Sequence, residues 1–297
     1  MGYLSFSQLA QETKNHGALA DAIAYHEAQT GECEVADIRA RMREMLNTMR
    51  GTIEYAFENE VRSRAELTGG DGAQVHQRGE KKSAPFVADP TFLDALAGAL
   101  ATAEVNASMG RIVAAPTAGA SGVLPGVLLA VGNKYDLDDD TLVDGLLVAG
   151  AIGEICAANA TLSGAAGGCQ AEIGTAAAMT AGAVCSILGG SVKQVGHGAS
   201  LALQGLLGLV CDPVGGLVEI PCVVRNATGA SVALAGAQMA LCGVEFPIPF
   251  DEVVSAATRI GRAIHPSLRE TARAGLANTP TARKLATRIS DDPISQF

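Results

Sequence analysis

The sequence predicts an all-α protein in which small-residue-rich, buried helices form the core. Residues 1–66 place apolar side chains three and four positions apart, as in ADIRARMREMLNTMRGTIEYAFENEV, which is the spacing of amphipathic helices. Residues 111–245 are apolar, small and interrupted by glycine. No run alternates convincingly with period two, although RIVAAP and LVEIPCVV could form short extended pieces.

Length and composition favour one large domain, which we place at residues 1–297. Hydrophobic residues make up 48% of the chain, but aromatic residues only 4%, and there are 35 glycines and no tryptophan. Such a core depends on close backbone approach and many small contacts. The net charge of −10 argues against a broad nucleic-acid surface or an anionic membrane as partner.

The elements follow in chain order. Residues 1–66 are predicted to be a charged helical segment, and residues 66–85 (ELTGGDGAQVHQRGEKKSAP) a long polar loop. A helix is predicted from Asp89, with Pro90 in its first turn. A polar helix near the C-terminus is predicted to take Asp251 as its N-cap.

Two apolar runs, 142–160 and 171–190, approach the length of a membrane span and carry small-residue spacing. Asp144, Glu154 and Glu172 lie in or beside them, and no aromatic belt or basic flank follows. Buried core helices are therefore the preferred interpretation, and no membrane is expected as partner.

Seven cysteines, an odd number with irregular spacing, occur in the chain. The start, MGYLSFSQLAQETKNHG, shows no basic stretch followed by an apolar one, so no secretory signal is predicted. Reduced thiols in a cytoplasmic protein are expected instead of disulfides.

Three of these cysteines stand beside glycine or proline: Cys169 in GAAGGCQAE, and Cys211 and Cys222 at the ends of CDPVGGLVEIPC. The other four lie in ordinary helical runs. Three thiolates without a nearby histidine suit a soft metal or an iron–sulfur cluster. Spacing alone leaves three buried free cysteines as an open alternative. Without a CxxC pair, a zinc ribbon is disfavoured.

The stretch RIVAAPTAGASGVLPGV is a candidate anion-binding loop. Gly119, Ala120 and Gly122 add little bulk, so backbone N–H groups could converge on a carboxylate or phosphate, and Thr117 and Ser121 add hydroxyls. It lacks the ending of a phosphate-binding P-loop. A helix-start turn with a serine cap is the alternative.

Polar residues near the third cysteine are further candidates. Arg225 could clamp a substrate carboxylate, with Asn226 beside it, although Arg225 could equally be a surface charge. His76 and His197 are expected to be structural.

Together, APTAGASG, GGCQAE and CDPVGGLVEIPCVVRNA resemble the iron–sulfur-dependent L-serine dehydratases (L-serine ammonia-lyases). LTGGDG and EVNASMG extend the resemblance over about residues 66–230. It implies that Cys169, Cys211 and Cys222 hold a [4Fe–4S] cluster at the centre of the helices, with one iron left for substrate. It also implies a substrate-carboxylate region, made of Thr117, Ala118, Gly119, Ala120, Ser121 and Gly122.

The activity implied is deamination of L-serine to pyruvate and ammonia by elimination at a Lewis-acidic iron. No pyridoxal phosphate is expected, since none of the six lysines stands in a recognisable setting for it. The family's Ser-Ser-Ser-His-Thr-type stretch is missing, which predicts a separate beta subunit. The last cysteine is Cys242, so a terminal cysteine that occupies the open iron is not expected.

No general base is identified in the chain. Two other functions remain open: an iron–sulfur lyase of another small amino or hydroxy acid, and a non-enzymatic scaffold that binds a cluster or zinc.

Overall fold

The computed structural model describes residues 3–81 and 87–291. Within these ranges the chain forms α-helices and no β-strand, which confirms the all-α prediction. The helices are α1 (Phe6–His16), α2 (Leu19–Thr30), α3 (Val35–Glu58), α4 (Asp71–Glu80), α5 (Pro90–Ala107), α6 (Val123–Tyr135), α7 (Asp139–Asn159), α8 (Gly164–Gly167), α9 (Thr175–Ile187), α10 (Val192–Gln204), α11 (Cys222–Leu241), α12 (Phe250–Ala263) and α13 (Pro280–Asp291). Short 3₁₀ turns occupy Ala118–Ala120, Val214–Gly216, Pro266–Leu268 and Gly275–Asn278, and a π-helical turn occupies Gln170–Gly174.

Helix α9 is the centre of the fold. Every residue from Thr175 to Cys185 is buried, and α6, α7, α10 and α11 all contact this helix. A helix that is apolar on all sides belongs in the core.

Small residues let the helices around α9 approach closely. A Cβ atom at Gly126 of α6 would lie 2.5 Å from the backbone nitrogen of Ala99 in α5. A Cβ at Gly236 of α11 would lie 3.0 Å from the backbone nitrogen of Ala202 in α10. The scarcity of aromatic residues and the abundance of glycine thus produce helix contacts made by backbone.

The loop predicted over residues 66–85 is wrong in its middle, which forms α4 (Asp71–Glu80); residues 82–85 lie outside the described ranges. The carboxylate of Glu104 in α5, 1% exposed, accepts hydrogen bonds from Asp71 N (2.7 Å) and Gly72 N (3.3 Å). The first turn of α4 is thus satisfied by a residue distant in sequence, which local composition does not reveal.

The two predicted helix starts differ in outcome. Helix α5 begins at Pro90, and the Asp89 side chain accepts from Phe92 N, as predicted. The N-cap prediction for Asp251 is wrong, because α12 begins one residue earlier, at Phe250. The Asp251 carboxylate instead accepts from Phe6 N (2.7 Å) and Ser7 N (3.3 Å), so it satisfies the first turn of α1.

One helix of the described chain, Asp139–Asn159, is long and apolar enough to cross a membrane by length and composition alone. Two thirds of its most apolar window lies buried inside the protein, at 67%. This burial is that of a core helix.

Candidate metal centre

Three helices begin at one place in the fold, and each start carries a predicted site motif. The turn Ala118–Ala120 leads into α6, Cys169 leads into the π-helical turn and α9, and Cys222 is the first residue of α11. The turn at Ala118–Ala120 contacts both the π-helical turn and α11. Helix N-termini offer unpaired N–H groups and positive potential, so this junction favours anionic groups.

Cys169, Cys211 and Cys222 come together at this junction. Cys169 and Cys211 are buried, and Cys222 is partly exposed. Burial raises the pKa of Cys169 to about 11, while the positive charge of Arg225 opposes the rise. Burial, with the nearby charge of Cys169, raises the pKa of Cys222 to about 12. The same two causes raise the pKa of Cys211.

The remaining cysteines lie apart from this group, and all seven are free thiols. Burial raises the pKa of Cys185 to about 12 with no contribution from another thiol, and the same holds for Cys156. Cys33 is half-buried and Cys242 exposed. The structure therefore separates the cysteines into the same two groups that their sequence contexts suggested.

Cys169 is held against the segment that leads to Cys211. Gly168 has φ +77°, and a Cβ there would lie 2.7 Å from the carbonyl oxygen of Leu209. Gln170 N donates to Leu209 O (3.0 Å), and Gly208 N donates to the Gln170 side chain (2.8 Å). Only glycine fits both the left-handed conformation and this close approach.

The loop between Cys211 and Cys222 reverses direction at Gly215 and Gly216, whose φ angles are 63° and 76°. Val214 N closes the loop with a hydrogen bond to Ile220 O (2.8 Å). The two left-handed glycines thus turn the chain between the two cysteines.

A buried carboxylate, which the sequence analysis did not single out, fastens this loop to the N-terminal part of the chain. Glu219 is 3% exposed and accepts from Ser63 Oγ (2.6 Å) and Ala65 N (2.9 Å). Ser63 Oγ in turn accepts from Thr68 N (3.0 Å). Residues 63–68, the last two of which belong to the LTGGDG motif, thereby support the loop that carries Cys222.

Arg225 is not a free surface charge, since its side chain is 13% exposed and pairs with Asp212. Its guanidinium donates to Val210 O (2.9 Å) and Asp212 Oδ1 (2.7 Å), on either side of Cys211. Its positive charge also lies close enough to the thiol of Cys169 to oppose the rise in that thiol's pKa. The two hydrogen bonds hold the segment around Cys211 in place; a carboxylate clamp remains a prediction.

Asn226 links the candidate anion-binding loop to α11. Its Nδ2 donates to Gly119 O (2.9 Å) and Cys222 O (3.0 Å), and its Oδ1 accepts from Gly122 N (2.9 Å). The residue is completely buried. The amide thus fixes the loop relative to Cys222 by hydrogen bonds within the protein.

The loop itself divides into groups that pack and groups that face the junction. A Cβ at Gly122 would collide with the carbonyl oxygen of Ala99, and Ala120 is buried. Ala118 is exposed, and a Cβ at Gly119 would lie 3.4 Å from Glu172 Oε1.

Two hydroxyls of this loop differ in their surroundings. The Ser121 hydroxyl is completely buried and has no hydrogen-bond partner among the described residues. The Thr117 hydroxyl donates to Glu172 Oε1 (2.9 Å). A buried hydroxyl without a partner is costly, so Ser121 is a place where a bound group would find a donor.

Glu172 is a second carboxylate that the sequence analysis did not assign to the site. It lies in the π-helical turn three residues after Cys169. Burial raises the pKa of its carboxyl, and the Thr117 hydroxyl opposes that rise. The signal in the sequence was an acidic residue inside the small-residue motif GGCQAE.

The histidines lie in other surroundings. His76 stacks on Phe57 in α3, with ring centroids 4.1 Å apart. His197 Nδ1 accepts from Phe246 N (3.2 Å). Both contacts are structural, as expected.

The residues at the junction fit an iron–sulfur cluster better than a single ion. Among the described residues, no group of three His, Cys, Asp or Glu side chains is arranged to hold one metal ion. A cluster spreads its ligands over several irons, and thiolates are its usual ligands. Three neighbouring thiols, two of them beside helix N-termini, fit that donor set.

The fold and the site define the class: an all-α protein in which three cysteine thiols lie together beside the starts of two helices. The chain belongs to the serine dehydratase alpha chain family, whose sequence profile matches residues 11–277.

Individual relatives cover the chain to different extents. It is 43% identical over 288 residues to a probable L-serine dehydratase alpha chain of Bacillus subtilis, covering 97% of this chain and 95% of the relative. It is 50% identical over 191 residues to the L-serine dehydratase alpha chain of Peptoniphilus asaccharolyticus, covering 64% of this chain and 65% of the relative. The L-serine dehydratase TdcG of Escherichia coli is 43% identical over 182 residues, which span 60% of this chain but 40% of that protein.

Proposed function

We propose that this chain is the alpha subunit of an iron–sulfur-dependent L-serine ammonia-lyase that works with a separate beta subunit in the cytoplasm. The observation that carries the proposal is the convergence of three thiols, with Cys169 before α9, Cys222 at the start of α11 and Cys211 in the segment between α10 and α11. Family membership and the names of the relatives support it.

In the reaction, the Cα proton and the β-hydroxyl of L-serine leave as water, which gives 2-aminoacrylate. This tautomerises to an imine, and water hydrolyses the imine to pyruvate and ammonia. A [4Fe–4S] cluster would be held by the three cysteines and would supply Lewis-acid chemistry for the departure of the hydroxyl.

The chain's own residues position the substrate and the thiolates. Residues Thr117 to Gly122, which precede α6, would bind the substrate carboxylate through backbone N–H groups and hydroxyls. Arg225 and Asn226 hold the thiolate segments and that loop in register. Glu219 fixes the loop that carries Cys222.

The raised thiol pKa values mean that the apo-protein holds these cysteines protonated at neutral pH. Metal ligation requires thiolates, so assembly of the centre releases protons. Arg225 and the helix N-termini favour the thiolate form and lower the cost of that step.

The test is to purify this chain together with its beta subunit under anaerobic conditions. The absorption spectrum, the iron and sulfide content and the formation of pyruvate from L-serine are then measured. We expect broad thiolate-to-iron absorption near roughly 400 nm and L-serine turnover. A cluster without turnover of L-serine would indicate a different substrate or a scaffold, and zinc without sulfide would refute the cluster.

A further inference from the structure

Glu172 is the one acidic side chain of the described site that meets the candidate anion-binding loop directly. Its Oε1 accepts a hydrogen bond from Thr117 Oγ1 (2.9 Å). A Cβ at Gly119 would lie 3.4 Å from the same oxygen. The carboxylate of Glu172 therefore borders the subsite proposed for the substrate carboxylate.

The other oxygen of Glu172 faces the thiols. A Cβ placed on Gly164 would lie 2.5 Å from Glu172 Oε2 and 2.9 Å from Cys211 Sγ. The missing side chain of Gly164 thus leaves one small space that both the carboxylate and the thiol border. Among the described residues, Oε2 has no hydrogen-bond partner.

No cation of the described chain neutralises this carboxylate. Within the described ranges, no Lys, Arg or His forms an ion pair with Glu172, and Arg225 is already paired with Asp212. The other charge that affects it is Glu270, which is also negative. A partly buried carboxylate that is bound by a single hydroxyl lacks the compensation that such groups usually have.

An α-amino acid would supply the missing charge. Its ammonium and carboxylate are attached to one carbon, so they need an acceptor and a donor subsite side by side. Thr117 connects two such subsites here, because it belongs to the candidate anion-binding loop and donates a hydrogen bond to the acceptor Glu172. A 2-hydroxy acid offers no positive charge to Glu172.

We propose that Glu172 binds the ammonium group of the substrate and so selects amino acids over 2-hydroxy acids. The inference rests on the proposed function, since it places the substrate beside the three cysteines. The residue acts on specificity through a charge-assisted hydrogen bond.

The test compares L-alanine and L-lactate, which differ only in ammonium against hydroxyl and lack the β-hydroxyl that leaves. Their inhibition constants are measured against L-serine in the two-subunit enzyme, per intact cluster, and L-alanine binding is measured independently by equilibrium dialysis. In Glu172→Gln, we expect L-alanine to bind roughly 10- to 100-fold more weakly, the range for one charged hydrogen bond. The inhibition constant of L-lactate should change less than about twofold, because L-lactate has no ammonium group to form that hydrogen bond.

Glu270→Gln is the matched control, because it removes a nearby but exposed negative charge. It should leave both inhibition constants within about twofold. If the Glu172→Gln variant does not retain iron, the Glu172→Asp variant is measured instead. In that variant, L-alanine should bind at least about fivefold more weakly, and L-lactate binding should be unchanged.

Equal weakening of both inhibitors would overturn the inference and make Glu172 a structural residue. Unchanged L-alanine binding with a lower kcat would also overturn it. Both results require wild-type enzyme that turns over L-serine, so they are distinct from failure of the proposed function, in which the wild-type enzyme does not.

Discussion

At the scale of single residues, the three cysteines differ from the other four in what surrounds them. Cys169 raises the pKa of both Cys211 and Cys222, and the positive charge of Arg225 opposes the rise in the pKa of Cys169. Cys185 is equally buried but hydrogen-bonds the carbonyl of Ala237. Burial alone is therefore not the property that defines the candidate ligands.

We expect Cys169→Ala, Cys211→Ala or Cys222→Ala to remove most iron and sulfide from anaerobically purified protein. Each change removes one of the three thiols that we propose as cluster ligands. Cys185→Ala, buried like the ligands, and exposed Cys242→Ala are the controls and should keep the iron content of the wild type. Equal iron loss in the controls would contradict the assignment.

Gly119 is the glycine of the candidate anion-binding loop that faces the junction and not the core. We expect Gly119→Val to raise the KM for L-serine at least about tenfold, because the added side chain projects beside Glu172 and displaces a substrate carboxylate. Iron content should remain unchanged, since the cysteines lie elsewhere in the chain. A wild-type KM would show that the carboxylate binds at another position, with Arg225 the next candidate.

At the scale of elements, glycines in helices serve two distinct purposes. Gly126 of α6 allows contact with the backbone of α5. Gly150 of α7 is exposed, and no atom lies within 4 Å of the Cβ that it lacks. The composition shows both as glycine, and only the packing tells them apart.

This difference predicts that the same glycine-to-alanine substitution has opposite effects on stability at the two positions. Gly126→Ala should destabilise the protein by about 1–3 kcal/mol, because α5 and α6 must move apart. Gly150→Ala should stabilise it by about 0.5–1 kcal/mol through helix propensity. Thermal unfolding of both variants and of the wild type measures the two changes in stability. A loss of stability in Gly150→Ala would contradict the prediction.

The start of α4 depends on Glu104, and this makes stability depend on pH. Burial raises the pKa of Glu104 above its ordinary value of 4.5, although two backbone N–H groups oppose the rise. The Glu104 carboxyl therefore binds its proton more tightly in the folded state than in the unfolded chain. The stabilisation that results is complete at pH values below the pKa of Glu104 in the unfolded chain. It is lost as the pH rises through the pKa of Glu104 in the folded state.

We expect Glu104→Gln to remove this dependence of the free energy of unfolding on pH. Denaturant unfolding between about pH 4.5 and 8 should show the variant gaining stability relative to the wild type as pH rises. Glu58→Gln, a change at an exposed position of α3, is the control and should run parallel to the wild type. A constant difference between Glu104→Gln and the wild type over this range would refute the prediction.

At the scale of the whole molecule, the candidate centre is assembled from distant parts of the chain. Residues 63–68, the loop before α6, the turn before α9 and the start of α11 each contribute contacts to it. The chain aligns with about 40% of the length of TdcG. TdcG therefore contains sequence beyond the part that aligns with this chain.

This predicts that the isolated chain assembles a cluster but deaminates L-serine poorly. If the beta subunit carries the Ser-Ser-Ser-His-Thr-type part and this part completes the active site, as we propose, then adding it to anaerobic, cluster-loaded alpha chain should raise kcat/KM by at least about tenfold. The measurement is pyruvate formation with and without the partner at equal iron content. Full turnover by the alpha chain alone would refute partner dependence.

The sequence by itself determined the fold class, since helical spacing and small-residue composition are local properties. It also singled out Cys169, Cys211 and Cys222, because glycine and proline beside a cysteine mark a constrained backbone. The glycine turn at Gly215 and Gly216 and the start of α5 follow from the same local rules.

Only the tertiary structure decided where the polar groups act. Asp251 has the sequence of an N-cap for its own helix but satisfies α1, and Glu104 turns a predicted loop into α4. Glu172 and Glu219 join the candidate site through partners more than fifty residues away. A carboxylate hydrogen-bonds whichever donor the fold brings to it, and that choice depends on distances between helices which no local pattern encodes.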